Sequence, residues 1–153
     1  MGITLNEIFE PRTIILNLDG KTKEEVFNEL AGAIANVHTE CNYSSMLTSL
    51  WERENKLSTG IGSGIAIPHA FYEGVNKIAG AIGISQTGIE YNALDQKAVN
   101  IVFMLIIGRQ ANENHLYVLN QLSTLAKSDA SSMLLKANNK ETVMDILSHI
   151  QHE

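Results

Sequence analysis

Residues 57 to 74 have the types and the order that a catalytic segment requires, and they read LSTGIGSGIAIPHAFYEG. Glycines and small hydroxyl residues lead into a short apolar run that ends on Pro68 and His69. Because the proline fixes its own φ and biases Ile67 towards an extended conformation, His69 should leave the strand end in a defined direction. A neutral imidazole is a nucleophile, and glycine amides can approach an anion closely. At this point a turn histidine, with glycines that serve only the turn, is the open alternative.

The glycine-rich segment GIGSGI does not match the common nucleotide-binding motifs. It lacks the third glycine of a dinucleotide fingerprint, and no Gly-Lys-Ser or Gly-Lys-Thr follows it as in a P-loop. A nucleotide site is therefore disfavoured, and we expect no bound cofactor.

Arg53 lies one helical turn before the glycine-rich segment. It follows Met46 by seven residues and Leu50 by three, so its charge lies in line with the apolar stripe of the preceding helix. Such an arginine often complements the helix dipole or pairs with a neighbouring glutamate, here Glu52 or Glu54. A guanidinium that points towards the histidine loop instead is well suited to bind a phosphate group.

His115 is expected in the first turn of a helix that Asn112 or Asn114 caps. The unpaired N–H groups of a first turn favour a nearby anion. Its spacing also places His115 with an apolar stripe and thus towards the core or an adjoining cleft; the stripe comprises Leu119, Leu122 and Ala126. Taken alone, this residue is better interpreted as a core histidine with a satisfied hydrogen bond.

Metal binding and thiol chemistry have little support in the sequence. His149 and His152 are three residues apart, but two ligands on a fraying helix end make a poor metal site. Cys41 is the only cysteine, so no intrachain disulfide can form, which fits a reducing cytoplasm. We therefore expect no metal and an inert thiol.

The charge and the apolar runs exclude several classes of partner. A formal net charge of −6 disfavours nucleic acid and anionic membrane surfaces. The longest apolar run, residues 101 to 107, is too short to cross a bilayer, and the N-terminal residues do not resemble a signal peptide. We therefore expect a cytoplasmic protein with no direct membrane insertion.

Apolar periodicity predicts one layered α/β or α+β domain over residues 1–153, with the sheet between helical layers. A strand near residues 14–18 precedes two helices, the first of which opens with a capping box between Thr22 and Glu25. Several strands follow, and the last third of the chain is helical. One helix there has an apolar stripe at Leu116, Leu119, Leu122 and Ala126. Two further helices are predicted in SDASSMLLKA and in residues 140–150.

Two of the predicted strands have distinctive faces. VNIVFMLII, which begins at Val99, is apolar on both faces, and this is typical of a central strand covered by helices. In KIAGAIGIS, the face formed by Ala79, Ala81 and Gly83 is small, which predicts a helix or backbone packed closely against it.

The segment RENKLSTGIGSGIAIPHA resembles the active-site signature of the type-2 IIA domains of the bacterial phosphoenolpyruvate-dependent phosphotransferase system. This is the fructose and mannitol class, which also includes the nitrogen-regulatory IIA proteins. The resemblance extends over the whole chain through TKEEVFNEL, ALDQKAVNIVFML and HLYVLNQLSTLAK. Trp51 and Asn55 depart from the family pattern, and Ala70 replaces a common glycine. The resemblance implies a mixed parallel and antiparallel sheet flanked by helices on both faces.

The resemblance also implies a role for each candidate residue. His69 corresponds to the histidine that is phosphorylated, on its tele nitrogen, and His115 corresponds to the histidine beside it in the site. Arg53 corresponds to the arginine that helps to hold the phosphoryl group. Ser58 and Thr59, in the adjoining loop, are weaker candidates for phosphoryl binding.

The activity implied by the resemblance is phosphoryl transfer through a phosphohistidine intermediate without a metal. The small carrier protein HPr would donate the phosphoryl group, and a IIB component that works with a membrane IIC permease would accept it. The second hypothesis is a nitrogen-regulatory protein whose phosphorylation state controls its binding to other proteins. The site residues do not separate these two functions.

Overall fold

The computed structural model describes residues 4–111 and 114–150. Short 3-10 helices at Pro11–Thr13 and Arg109–Ala111 accompany six α-helices and six strands in these ranges. The helices are Leu5–Ile8 (α1), Lys23–Val37 (α2), Tyr43–Glu54 (α3), His115–Ala126 (α4), Ala130–Lys136 (α5) and Lys140–Ile150 (α6). The strands are Ile14–Ile15 (β1), Gly60–Gly62 (β2), Ile65–Ala66 (β3), His69–Phe71 (β4), Ile78–Ile89 (β5) and Val99–Ile107 (β6).

The six strands form one mixed sheet in which β6 is central. The strand order is β1-β5-β6-β3-β2, and β4 also pairs with β6. β5 and β6 are antiparallel, whereas β3 and β4 lie parallel to β6 and β1 lies parallel to β5. Residues 101–107 of β6 are all buried, as a strand covered on both faces requires. The predicted central strand is confirmed.

Helices cover both faces of this sheet. On one face α2 and α3 pack against small side chains that include Ala79 and Ala81 of β5, which confirms the close packing predicted there. On the other face α1, α4, α5 and α6 pack against larger side chains such as Ile82 and Phe103. The predicted mixed α/β fold with helices on both faces is confirmed, and so are the two C-terminal helices.

Side chains at the helix starts explain where α2 and α3 begin. Thr22 Oγ1 accepts a hydrogen bond from Glu25 N at 3.2 Å, and Asn42 Oδ1 accepts one from Ser45 N at 2.9 Å. The predicted capping box is only half present, because the Glu25 carboxylate accepts from Lys21 N at 2.8 Å. The Glu25 carboxylate therefore holds the backbone N–H of Lys21, the residue before the cap, rather than that of Thr22, the cap itself.

The glycine-rich segment is a β-hairpin. β2 and β3 pair antiparallel, and Gly62, Ser63 and Gly64 connect them with φ values of 94°, 57° and 77°. Glycine adopts positive φ without steric cost, so the turn alone requires the two glycines within it. The glycine-rich segment is therefore an ordered element of the sheet.

His69 begins a strand, whereas the sequence pattern placed it at a strand end. β3 and β4 lie one after the other along the same side of β6, with Ile65 beside Ile101 and His69 beside Leu105. Pro68 lies between them and has no N–H to donate, which interrupts the ladder. Its carbonyl accepts from Leu105 N at 2.9 Å, so pairing resumes at once.

The buried face of α4 agrees with the predicted stripe except at its first residue. Leu122 and Ala126 are buried and Leu119 packs against the core, whereas Leu116 is 68% exposed. The face also includes Val118 and Leu125, which are buried. Spacings of four and three residues keep the buried positions on one side of the helix. His115 precedes Val118 by three residues, so it lies at the N-terminal end of the buried face.

We expect Phe103→Ala to lower the free energy of unfolding by about 3–5 kcal/mol, because it leaves a cavity beside the central strand. Phe103 is fully buried, and its ring centroid lies 5.9 Å from that of Phe9. Urea denaturation followed by circular dichroism measures the change. Leu94→Ala is the control, since Leu94 is 64% exposed and surface changes usually stay within about 0.5 kcal/mol. Equal losses in the two variants would contradict the packing described for β6.

Candidate functional site

His69 lies beside the central strand and is half-buried. Its neighbours in β4 pair with β6 in parallel register, and the preceding carbonyl of Pro68 bonds to Leu105 N. Pairing with the buried central strand β6 thus fixes the backbone both before and after His69. A strand holds a side chain more rigidly than an open loop does, which suits a residue that must meet a reactant at a defined position.

The His69 ring is bonded to its own chain. Nδ1 lies 2.8 Å from the carbonyl oxygen of Ile67. A carbonyl oxygen only accepts, so Nδ1 carries the proton of the neutral ring. Nε2 then keeps its lone pair, and it is the ring nitrogen that can attack an electrophile.

The pKa of His69 lies below its ordinary value of 6.5, mainly because burial disfavours the charged ring. The hydrogen bond to Ile67 raises this pKa, the charge of Arg53 lowers it, the carboxylate of Glu54 raises it, and His115 lowers it. Burial prevails, so the neutral and nucleophilic form predominates at neutral pH.

The structure brings His115 to the strand that carries His69. The His115 ring contacts the ring of Phe71 edge to face, with centroids 5.1 Å apart. Side chains two residues apart in a strand point to the same side, so Phe71 and His69 share a face of β4. Asn114 occupies the cap position of α4 without a side-chain capping bond, and Asn112, the other predicted cap, lies outside the described residues.

Arg53 connects the end of α3 to the residues that lead into β2. Its Nη1 donates to the carbonyl oxygen of Leu57 at 2.8 Å. A guanidinium has five N–H donors, so this bond leaves others that can reach an anion. The positive charge of Arg53 also lowers the pKa of His69.

Ser58 and Thr59 have different surroundings. Ser58 is half-buried, and its Oγ accepts a hydrogen bond from Gly60 N at 3.2 Å. Thr59 is buried, and its Oγ1 lies 2.6 Å from Glu54 Oε1 and 2.7 Å from Tyr91 Oη. The Thr59 hydroxyl is therefore used inside the protein, and the geometry favours Ser58 over Thr59 as a phosphoryl contact.

Glu54 is the residue of this region that the sequence interpretation missed. It is only 4% exposed, and its carboxylate accepts hydrogen bonds from Thr59 N at 2.9 Å, Thr59 Oγ1 at 2.6 Å and Lys23 Nζ at 2.9 Å. A signal was present, because Glu54 follows Leu50 by four residues and therefore lies on the buried stripe of α3. From the sequence, Glu54 was only one of two glutamates that could pair with Arg53.

Of the two C-terminal histidines considered as metal ligands, only His149 lies among the described residues. His149 Nδ1 lies 2.8 Å from Asp145 O, and His152 falls outside the described residues. In residues 4–111 and 114–150, no group of three or more His, Cys, Asp or Glu could hold a metal ion. Within the same ranges no helix is long and apolar enough to cross a membrane.

Sequence comparison gives matches along nearly the whole chain. Residues 7–150 match the family described as "Phosphoenolpyruvate-dependent sugar phosphotransferase system, EIIA 2". A "PTS system fructose-specific EIIABC component" from Bacillus subtilis is 35% identical over 150 residues, which cover 97% of this chain and 23% of that protein. The chain therefore spans less than a quarter of that relative's length. A "Nitrogen regulatory protein" from Pseudomonas aeruginosa is 30% identical over 151 residues, which cover 98% of both chains.

The fold agrees with these matches. The crystal structure of nitrogen regulatory protein IIA-Ntr from Neisseria meningitidis has a TM-score of 0.81 and 27% identity, and it covers 94% of this chain and 98% of that chain. The strand and helix layers that surround His69 are therefore those of a known fold. With a family match that runs from residue 7 to residue 150, the chain belongs to the EIIA 2 family of the phosphoenolpyruvate-dependent sugar phosphotransferase system.

Proposed function

We propose that the protein is the phosphoryl-carrier IIA component of a sugar phosphotransferase system of the fructose and mannitol class. His69 accepts a phosphoryl group from the phosphohistidine of HPr and passes it to a IIB component. The observation that carries the proposal is the 2.8 Å hydrogen bond between His69 Nδ1 and Ile67 O. Because this bond holds the ring proton on Nδ1, Nε2, the tele nitrogen, is the nucleophile.

Each transfer exchanges one phosphorus–nitrogen bond for another. The Nε2 lone pair of His69 forms a bond to phosphorus while the bond to the donor imidazole breaks, and the donor ring keeps that electron pair. The Nδ1 proton stays on the hydrogen bond to Ile67 O, so the His69 ring keeps its orientation. The transition state is loose and anionic, and catalysis depends mainly on position and on positive charge.

Arg53, His115 and Ser58 are the groups that we assign to the transferred phosphoryl group. The first two already act on His69 electrostatically, since both lower its pKa. His115 also opens α4, where N–H groups without intrahelical partners favour an anion. Arg53 supplies positive charge, and His115 and Ser58 supply hydrogen-bond donors, so this assignment uses no metal ion.

Exposed apolar side chains beside these residues suit contact with protein partners. Phe71 is 56% exposed on β4, and Leu116, which follows His115, is 68% exposed. Adjoining exposed apolar side chains mark interaction surfaces. We assign this surface to HPr and to IIB, which bind in turn because each must reach the same imidazole.

The B. subtilis relative supports the choice of partners, since its name joins A, B and C components in one protein. We propose that this chain likewise serves a IIB component and, through it, a membrane IIC permease. We also propose that residues 1–153 form one domain that acts in the cytoplasm, where it meets HPr.

A nitrogen-regulatory role is the second candidate, and the match to 98% of the P. aeruginosa protein favours it. The same His69 chemistry would then control binding to a regulatory target. Transfer from the phosphorylated protein to IIB components of the fructose and mannitol class separates the two functions. Rapid transfer supports the sugar role, whereas a phosphoryl group that no such IIB component accepts supports the regulatory role.

Incubation with phosphoenolpyruvate, enzyme I and HPr should produce an acid-labile, base-stable phosphoryl adduct on this protein. We expect His69→Ala to abolish the adduct because it removes the nucleophile, and radiolabel retained after electrophoresis measures the loss. His149→Ala is the matched control and should label like the wild type, since it removes an exposed histidine of α6. Labelling that survives in His69→Ala would falsify the assignment.

We expect His115→Ala to accept the phosphoryl group weakly and to slow its onward transfer to IIB by about 100-fold, because one group that stabilises charge is lost. Rapid-quench measurement of both steps separates acceptance from donation. Unchanged rate constants for both steps would remove His115 from the site.

The pH dependence of acceptance should follow the lowered pKa of His69. Protonation removes the Nε2 lone pair, so the rate falls only when the pH drops through a pKa that lies below 6.5. At pH 6.5 more than half of the His69 rings should therefore be neutral and able to accept the phosphoryl group. A titration of the His69 ring protons by NMR, on this protein alone, separates its pKa from that of the donor. A His69 pKa above 6.5 contradicts the effect of burial.

A further inference from the structure

A largely buried polar cluster surrounds Thr59, the residue before the β2–β3 hairpin, and we call it the Glu54 cluster. It consists of Glu54, Lys23, Thr59 and Tyr91. The carboxylate of Glu54, which is 4% exposed, accepts from Lys23 Nζ at 2.9 Å, from Thr59 N at 2.9 Å and from Thr59 Oγ1 at 2.6 Å. Tyr91 Oη lies 2.7 Å from Thr59 Oγ1, and Lys23 Nζ lies 4.4 Å from the centroid of the Tyr91 ring.

The direction of each hydrogen bond in the cluster follows from its chemistry. A carboxylate only accepts, so the single proton of the Thr59 hydroxyl points to Glu54. Burial and the nearby charge of Glu54 raise the pKa of Tyr91, so the Tyr91 hydroxyl stays protonated and donates to Thr59 Oγ1. The Thr59 hydroxyl thus donates to Glu54 and accepts from Tyr91, and the Thr59 backbone N–H also donates to Glu54.

The cluster is connected to His69 through two backbone hydrogen bonds. Ile67 N donates to Thr59 O at 3.0 Å. The carbonyl of the same Ile67 residue accepts from His69 Nδ1 at 2.8 Å. The position of Thr59 therefore sets the position of Ile67, and the Ile67 carbonyl determines which nitrogen of His69 carries the proton.

We infer that Glu54 is a positioning residue for His69, and that it acts through Thr59 and Ile67 to hold the tautomer whose Nε2 is nucleophilic. The inference deepens the proposed phosphoryl transfer at His69 and rests on it for its effect on rate. Glu54 need not touch the phosphoryl group in this role. It fixes the acceptor carbonyl to which the imidazole is bonded.

The elements joined by the cluster explain why a carboxylate serves here. Lys23 begins α2, Glu54 ends α3, Thr59 precedes β2, and Tyr91 follows β5. The two oxygens of the Glu54 carboxylate accept three hydrogen bonds from these elements. Two of the bonds come from Thr59, and the third comes from Lys23. Burial of a charged group is costly unless it is paired and bonded in this way.

The test compares Glu54→Gln with Glu52→Gln, a matched control that removes the same charge from an exposed position of α3. A glutamine has only one acceptor oxygen, and its NH₂ group faces a donor in the cluster. We expect Glu54→Gln to increase the fraction of His69 with the proton on Nε2, as measured by two-bond ¹⁵N–¹H correlation spectra of the ring. The rate of phosphoryl acceptance from phospho-HPr should fall about 10- to 100-fold, whereas Glu52→Gln should match the wild type in both measurements.

Loss of the Glu54 charge cannot by itself explain the slower rate. The carboxylate raises the pKa of His69, so its removal lowers that pKa and leaves more of the ring neutral. An effect through ionisation alone would maintain or increase acceptance. A lower rate of phosphoryl acceptance together with a change of tautomer therefore shows that Glu54 acts by positioning the His69 ring.

Two further variants keep the inference testable if Glu54→Gln does not fold. Thr59→Val removes the hydroxyl and should shift the tautomer in the same direction, and Thr59→Ser, which keeps the hydroxyl, should restore it. A folded Glu54→Gln or Thr59→Val protein with the wild-type tautomer overturns the inference, even if its transfer rate is reduced. Wild-type protein that shows no Nδ1–H tautomer overturns it as well.

The spectra and the transfer assay test different proposals. If wild-type His69 accepts no phosphoryl group from phospho-HPr, the proposed function is wrong. The tautomer spectra of the four variants still decide whether Glu54 positions the imidazole, because they require no partner protein.

Discussion

The hydrogen bond between His69 Nδ1 and the carbonyl of Ile67 is the constraint on which the site depends. Without it, the neutral ring can carry its proton on either nitrogen and can turn about its side-chain bonds. With it, one nitrogen is occupied and the other has a fixed direction. The proposed phosphoryl transfer between two histidines needs such a fixed lone pair, since a reaction of this kind gains most of its rate from alignment.

The sheet provides the frame for this bond. Pro68 separates β3 from β4, yet both strands lie along β6 and the Pro68 carbonyl bonds to Leu105 N. At this interruption the Ile67 carbonyl bonds to the imidazole, while the chain on either side stays paired with β6. The hairpin before β3 continues this support, because the Thr59 carbonyl accepts from Ile67 N.

The groups around His69 shift its pKa in opposite directions. Burial, Arg53 and His115 lower the pKa of His69 and keep its ring neutral, and in the proposed function the positive charge of Arg53 also favours an incoming phosphoryl group. The buried carboxylate of Glu54 raises that pKa, but it accepts its hydrogen bonds from Lys23 and Thr59. The negative charge is therefore paired with Lys23 inside the Glu54 cluster, where it holds the backbone that leads into β2.

Features that depend on chain neighbours could be predicted from the sequence by itself. The two-faced pattern of β6, the Thr22 cap of α2, the restricted backbone at Pro68 and the resemblance to the IIA family are of this kind, and they yielded the fold class and the family. Only the tertiary structure decided that Thr59 turns inward and that Glu54 is buried beneath it. Their partners in the cluster include Tyr91, more than thirty residues further along the chain, and no local pattern encodes such a contact. The sequence determined which residues could do the chemistry, and the packing of distant segments determined how the imidazole is held.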